Sequence, residues 1–246
     1  MESSAPRRLG DQIQIDGSYQ YKALHEGPAF QRAWHREKLL LIDGVVDAPS
    51  GARRALDAGC GSGVLAAHLA SKGWGVTGVD ANESAIKFAS ETFDFESLRF
   101  VQCYLDELDA GEGFDLAISF EVIEHLTYDQ VLVFLQSLRE SMRVGGRVVL
   151  TTPNYLSLWP IIEWLCDRFS FLPNMDGDQH ITRFNQRRLR KCLKDSGFTV
   201  DRIRSFSTIS PFVGIVSQRA QRSIHRLERL NPIPLGNILV AEAHRK

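Results

Sequence analysis

The stretch ALDAGCGSGV at 55–64 constrains this chain more than any other. A short apolar run ending in an aspartate, three glycines at alternate positions and a following apolar helical pattern read as strand, tight turn and helix start. In an open α/β sheet, such a turn sits at the carboxyl ends of the strands, where the strand order reverses and ligands collect. Gly59, Gly61 and Gly63 let a ligand approach the main chain closely. Asp80 ends the next apolar run, GVTGVD. It follows Gly59 by about twenty residues, the placement from which a carboxylate accepts hydrogen bonds from both hydroxyls of a ribose.

Two ribose ligands compete for this loop. A dinucleotide fingerprint carries its third small residue three places after the second glycine, and here that place is Val64. A pyrophosphate would also be repelled by Asp57, two residues before Gly59. A cationic ligand would be attracted to it. S-adenosylmethionine has a ribose, no phosphate, a sulfonium and an ammonium, and it satisfies both conditions. The loop is therefore expected to hold its methionine end.

The rest of the chain alternates strand and helix patterns. RRALDA, GVTGVD, LRFVQCY, FDLAISF and RVVLTT read as strands; VLAAHLASKG, ESAIKFASETF and YDQVLVFLQSLRESM read as the helices between them. Thr127 with Gln130 forms a capping-box pattern, Asn185 is placed to cap QRRLRKCLKD, and FTVDRIRSF and NILVAEA supply two late strands. The expected fold is α/β, a Rossmann-like seven-stranded mostly parallel sheet with helices on both faces and an antiparallel last pair. Residues 1–50 are expected to form an N-terminal tail and helical cap, helical from Ser18 to Val46. Residues 51–246 would form the ligand-binding domain, with lid insertions at about 155–182 and 207–236. With 43% hydrophobic residues, a net charge of -1, four widely spaced cysteines and no apolar run of membrane-spanning length, the chain is expected to be cytoplasmic. That charge balance argues against a general nucleic-acid coating protein.

The motifs LDAGCGSG, GVD, FDLAISFEVIEHL, RVGG with TTPN, and HITRFNQRRLRKCLKDSGF resemble class I S-adenosylmethionine-dependent methyltransferases over roughly residues 50–206. That resemblance implies cofactor contacts from Asp57, Gly59, Cys60, Gly61 and Gly63 on the methionine side and from Asp80 to the ribose. It places Ala81, Asn82, Tyr104 and Leu105 around the adenosine and Phe120 at the sulfonium end. Many members carry an acidic residue where this chain has Tyr104, with Asp106 two places on.

EVIEHL at 121–126 is the candidate for chemistry. On a helical turn, Glu121, Glu124 and His125 would share one face and chelate a divalent cation, with His180 as a further ligand. His125 or His180 would otherwise serve as a metal-free base, or the acidic and histidine residues would merely cap or brace the next helix. The pattern resembles the metal site of small-RNA terminal 2′-O-methyltransferases and, without the later histidine, ubiquinone-pathway-type O-methyltransferases. The expected reaction is methyl transfer to the hydroxyl of a small-molecule acceptor, such as a quinol precursor, a sugar or a secondary metabolite. The rival readings are an RNA 3′-terminal 2′-O-methyltransferase and a non-catalytic S-adenosylmethionine-binding regulatory protein. Trp159, Trp164, Phe169 and Phe171 are candidates for a substrate lid, and Tyr19, Tyr21, His25 and His35 for a cover over the cofactor. The segment 211–229 joins the apolar PFVGIV to an arginine-rich helix with Ala220, Ile224 and Leu227 on one face. It is a candidate for peripheral membrane contact.

Overall fold

The computed structural model describes residues 16–51, 53–158, 160–161, 180–230 and 236–246. Trp164, Phe169 and Phe171, and the side chain of Trp159, lie outside the described residues. Seven strands form one sheet: β1 Arg54–Ala58, β2 Gly75–Asp80, β3 Leu98–Gln102, β4 Phe114–Phe120, β5 Met142–Pro153, β6 Phe198–Phe206 and β7 Ile238–Arg245. Their spatial order is β3-β2-β1-β4-β5-β7-β6. The first five strands pair in parallel, and β7 lies antiparallel between β5 and β6. The order therefore reverses between β1 and β4, and the glycine loop opens at that crevice.

Helices α1 Tyr19–His25, α2 Ala29–Val45, α3 Val64–Ser71 and α4 Glu83–Thr92 precede α5 Tyr128–Glu140, α6 Gln186–Asp195, α7 Ser210–Gly214 and α8 Gln218–Leu230. One face of the sheet is covered by α2 and α3, through Trp34, Leu41, Ile42, Leu65 and Leu69 packed on Ile118, Val149 and Val240. The other is covered by α5 and α6, through Phe134, Leu135, Leu138, Leu189 and Leu193 packed on Leu56, Val148 and Leu150. Strands buried on both faces explain the near-continuous apolar runs in the sequence. Two local expectations are corrected. The helix expected over 18–46 is broken at Gly27-Pro28, because proline cannot continue a helix through its ring and missing N–H. β5 begins at Met142 rather than Arg147, since the VGG turn is absorbed as an irregularity in the pairing with β4, with Gly145 at φ +78°.

The caps read from the sequence are in place. The Thr127 hydroxyl accepts from the Gln130 amide while the Gln130 side chain accepts from the Thr127 amide, and the Asn185 side chain accepts from the Arg188 amide. Gly63 is needed for a packing reason. It stands at φ +79°, and a Cβ there would lie 2.6 Å from the Phe100 ring and 2.9 Å from the Ala89 methyl. Gly63→Ala adds a left-handed strain of about 1–2 kcal/mol and an overpacking cost of about 1–3 kcal/mol. A Tm lowered by roughly 5–15 °C in a thermal melt is the expected result.

Candidate active site

The turn after β1 is tied to the end of β2. The Gly59 and Cys60 amides donate to the Val79 carbonyl at 2.8 and 3.0 Å. The Gly61 amide donates to Asp80 Oδ2 at 2.8 Å, and the Asn82 amide donates to Asp80 Oδ1 at 2.9 Å. Asp80 thus holds the glycine loop and the start of α4 together. Beneath it, Asp57 is buried, and its Oδ2 has no hydrogen-bond partner. Burial and then the Asp80 charge push the Asp57 carboxyl up to about 8. Burial also raises Asp80, and no cation figures among the influences on either group. A buried and a half-buried carboxylate side by side, without a counter-charge, fit a ligand that brings its own positive charge.

Gly59 stands at φ +79°, where a Cβ would meet the Val122 side chain at 2.5 Å. Cys60 is buried beside the loop, and burial with the Asp57 and Asp80 charges raises its thiol. The Asn82 side chain is engaged as the N-cap of α4, accepting from the Ser84 and Ala85 amides. Ala81 lies half-buried at the same corner. Tyr104 precedes a short 3₁₀ turn, Leu105–Glu107, whose Leu105 side chain is buried in the core; Asp106 is exposed. The Phe120 side chain turns into the core under α2 and α3. Helix α1 lies over the glycine loop: the Gln20 side chain approaches within 2.8 Å of where a Gly61 Cβ would stand. The Tyr21 ring packs on Phe88 of α4 at 5.4 Å, and Tyr19 meets His35 edge-on at 5.8 Å. Burial holds His35 well below the usual histidine range, so it is neutral at physiological pH. His25 is exposed and contacts Tyr21.

EVIEHL departs from its expected form. Only Ile123–His125 are helical, as one 3₁₀ turn. Glu121 precedes the turn at φ +58°, a strained conformation for a residue with a side chain, and its carboxylate accepts from the Thr151 hydroxyl at 3.0 Å. Glu121 is therefore not part of the ligand cluster that the i, i+3, i+4 spacing predicts. Glu124, His125 and His180 do come together, with potential ligand atoms all within 4.8 Å of one another. Glu124 is buried; its Oε2 accepts from the Thr152 hydroxyl at 3.0 Å and its Oε1 has no partner. Burial, and then the nearby Glu121 charge, push this carboxyl up to about 8.

His180 is held there by a strap. The Thr182 amide donates to the Glu124 carbonyl at 3.0 Å, and its hydroxyl donates to the Leu126 carbonyl at 2.6 Å. The Tyr155 hydroxyl lies 2.8 Å from His180 Nδ1, and the His125 and His180 rings are 5.2 Å apart. Sequence reasoning missed Thr151, Thr152, Tyr155, Thr182 and Gln20. The first two end β5 and the third follows it, in TTPNY, and only the adjacency of β5 to β4 brings them beside EVIEH.

A parallel sheet reversing between β1 and β4, a glycine turn at the reversal and a buried Asp57 with an unpartnered oxygen suit a cationic ribose ligand. Residues 30–203 match the family described as a methyltransferase domain, and the chain belongs to it. It is an S-adenosylmethionine-dependent methyltransferase. It is 36% identical over 101 residues to the ubiquinone biosynthesis O-methyltransferase of Rickettsia typhi, and 36% identical over 104 residues to that of Rhizobium leguminosarum. These matches span 40% or 41% of this chain and 40% of each relative, so the chain covers less than half the length of the curated relatives it matches. The fold resembles an S-adenosylmethionine-dependent methyltransferase from Archaeoglobus fulgidus, with TM-score 0.64 and 22% identity, covering 92% of this chain and 99% of that one. It also resembles the magnesium protoporphyrin IX methyltransferase of Synechocystis PCC 6803 with bound S-adenosylhomocysteine, with TM-score 0.57, 18% identity and 94% of each chain covered.

The Asp57 carboxyl links donor binding to pH. A cationic donor favours the ionised carboxylate, so binding releases a proton wherever Asp57 is protonated in the free protein. Donor affinity measured by calorimetry should rise with pH up to about 8 and then level. Asp57→Asn should weaken binding and flatten that profile. Because the folded-state pKa is raised, the donor-free wild type loses stability as pH rises from about 4 toward 8. Asp57→Asn should therefore melt higher than wild type at pH 9 and close to it at pH 4, checked by differential scanning calorimetry.

Proposed function

We propose that this enzyme methylates a hydroxyl of a small acceptor that carries a second oxygen next to the first, with a divalent cation held by Glu124, His125 and His180. The observation that carries this reading is that buried Glu124, whose Oε1 has no partner, offers a carboxylate oxygen within 4.8 Å of ligand nitrogens of His125 and His180. One carboxylate oxygen and two imidazole nitrogens suit Zn²⁺, Mn²⁺ or Fe²⁺ and leave positions open for acceptor oxygens. When bound, such a cation lowers the pKa of a coordinated hydroxyl and orients it. The names of the curated relatives support oxygen as the methylated atom.

The chain's own residues prepare the site. The Thr152 hydroxyl fixes the Glu124 carboxylate through Oε2, which leaves Oε1 for the ligand position. Tyr155 holds the His180 ring through Nδ1, and Thr182 staples its segment to the 3₁₀ turn. Asp57 and Asp80 supply negative charge at the donor site, one strand away across β1 and β4. Orienting an acceptor hydroxyl against a sulfonium methyl carbon supplies much of the acceleration for an in-line displacement. Glu121 withdraws toward Thr151 and contributes charge beside Glu124.

Turnover of a catechol should stop on exhaustive chelation and return with Mn²⁺, Zn²⁺ or Fe²⁺. Glu124→Gln and His180→Ala should each lower kcat by roughly 100-fold, with calorimetric donor affinity within about twofold of wild type. Tyr155→Phe should weaken metal affinity by about tenfold. Full turnover after chelation, together with unchanged kcat in both ligand variants, would remove the cation from the reading. Preference for the 2′,3′-diol of a short RNA over every catechol would move the acceptor class to an RNA terminus.

A further inference from the structure

Helix α8 packs with its polar side inward. Its buried residues are Gln221, His225 and Glu228, whereas Leu227 is 57% exposed and Ile224 half-buried. The face shared by Ala220, Ile224 and Leu227 is therefore not the one packed into the fold. Gln221 Nε2 donates to Glu37 Oε1 and to the Ala33 carbonyl, both at 2.8 Å, and His225 Nδ1 lies 2.7 Å from Glu37 Oε2. Glu228 accepts from the amides of Thr208, Ile209 and Ser210 and from the Ser210 hydroxyl. The acidic side chain of α8 is thus spent inside the fold.

What remains outward is basic and apolar. Arg219, Arg222 and Arg226 are exposed on α8. Beside them, Ile209, Phe212, Ile215 and Val216 are exposed, Val216 at 89%. Arg32 and Arg36 of α2 extend the charge, with Arg36 held to Gln221 Oε1 at 3.0 Å. Burial and then the Arg32 and Arg222 charges lower the Arg36 guanidinium, which shows that these groups crowd one another. Among the described residues, none of these five arginines forms an ion pair with a carboxylate. An isolated apolar side chain on a surface needs no explanation, but a contiguous group rimmed by unpaired arginines does.

We propose that the surface formed by α7, the bend at Ile215–Ser217 and the outer face of α8 docks on an anionic lipid bilayer. The apolar side chains of the bend would enter the interfacial layer while the arginines meet lipid phosphates, the arrangement of an interfacial helix with a basic polar face. Charge complementarity selects anionic over zwitterionic lipid. The surface leaves the carboxyl end of β6, which runs parallel to β5, so it lies at the same edge of the sheet as the cofactor loop. The inference does not rest on the proposed acceptor or metal.

The test is co-sedimentation of the full chain with large unilamellar vesicles of phosphatidylcholine alone or with one quarter phosphatidylglycerol. The chain should bind the anionic vesicles, release with rising salt and leave the neutral ones. The combined substitutions Arg219→Gln, Arg222→Gln and Arg226→Gln should weaken partitioning by on the order of a hundredfold. Val216→Asp should weaken it even at low salt, which a purely ionic contact would not. Both variants should retain S-adenosylhomocysteine binding, a control for folding that reads independently of lipid. No binding to anionic vesicles, equal binding to neutral ones, or partitioning unchanged in both variants would overturn the proposal. So would capture of inorganic phosphate or short RNA by the same arginines without vesicle binding.

Discussion

The structure turns on two carboxylates, Asp57 buried and Asp80 half-buried, at the point where the sheet reverses. Asp57 lies beneath the glycine loop with one oxygen unpartnered, and Asp80 holds that loop through the Gly61 amide. Burying like charges together costs stability unless a cation joins them. The glycines, the Val79 carbonyl contacts and the cover from α1 are arranged around that deficit. A ligand that brings its own positive charge would relieve that deficit, which burial and the Asp80 charge express as a raised Asp57 carboxyl.

The same sheet edge carries a second polar group on different terms. Glu124, His125 and His180 come from the end of β4 and from a segment more than fifty residues later, joined by the Thr182 strap. Two of them are positioned by a neighbour from β5 or just beyond it, Thr152 for Glu124 and Tyr155 for His180. Farther along the edge, the Glu37–Gln221–His225 contacts bind α8 to α2 through polar groups. A helix anchored by its polar side leaves apolar and basic groups to the outside, so the internal hydrogen bonding and the external surface have one cause.

Much of this was readable without coordinates. The strand–glycine–helix pattern at 55–64, the carboxylate at the end of the following strand, and the caps at Thr127 and Asn185 are local signals, and each is found where its spacing places it. The grouping of Glu124, His125 and His180 was readable as a set of candidates, though not as a geometry. Glu121 failed because helical spacing was assumed where a single 3₁₀ turn forms, and a positive φ carries its side chain toward Thr151. Which side of α8 packs inward was not legible, because periodicity counts apolar residues, whereas hydrogen bonds to Glu37 and to the start of α7 chose its orientation.

The order of residues alone therefore determined the parallel α/β architecture and the strand–glycine turn–helix at its reversal, with a carboxylate two residues before the first glycine. Those properties follow from neighbours in the chain: a strand's apolar run, a glycine's freedom, a carboxylate two residues away. Tertiary structure decided which carboxylate remains unpartnered, which histidine meets it and which side of the last helix faces outward. These depend on strand adjacency and on hydrogen bonds between residues up to nearly two hundred positions apart, as from Glu37 to His225. No local pattern encodes such a pairing, because a buried polar group takes its partner from whatever the packing brings within reach.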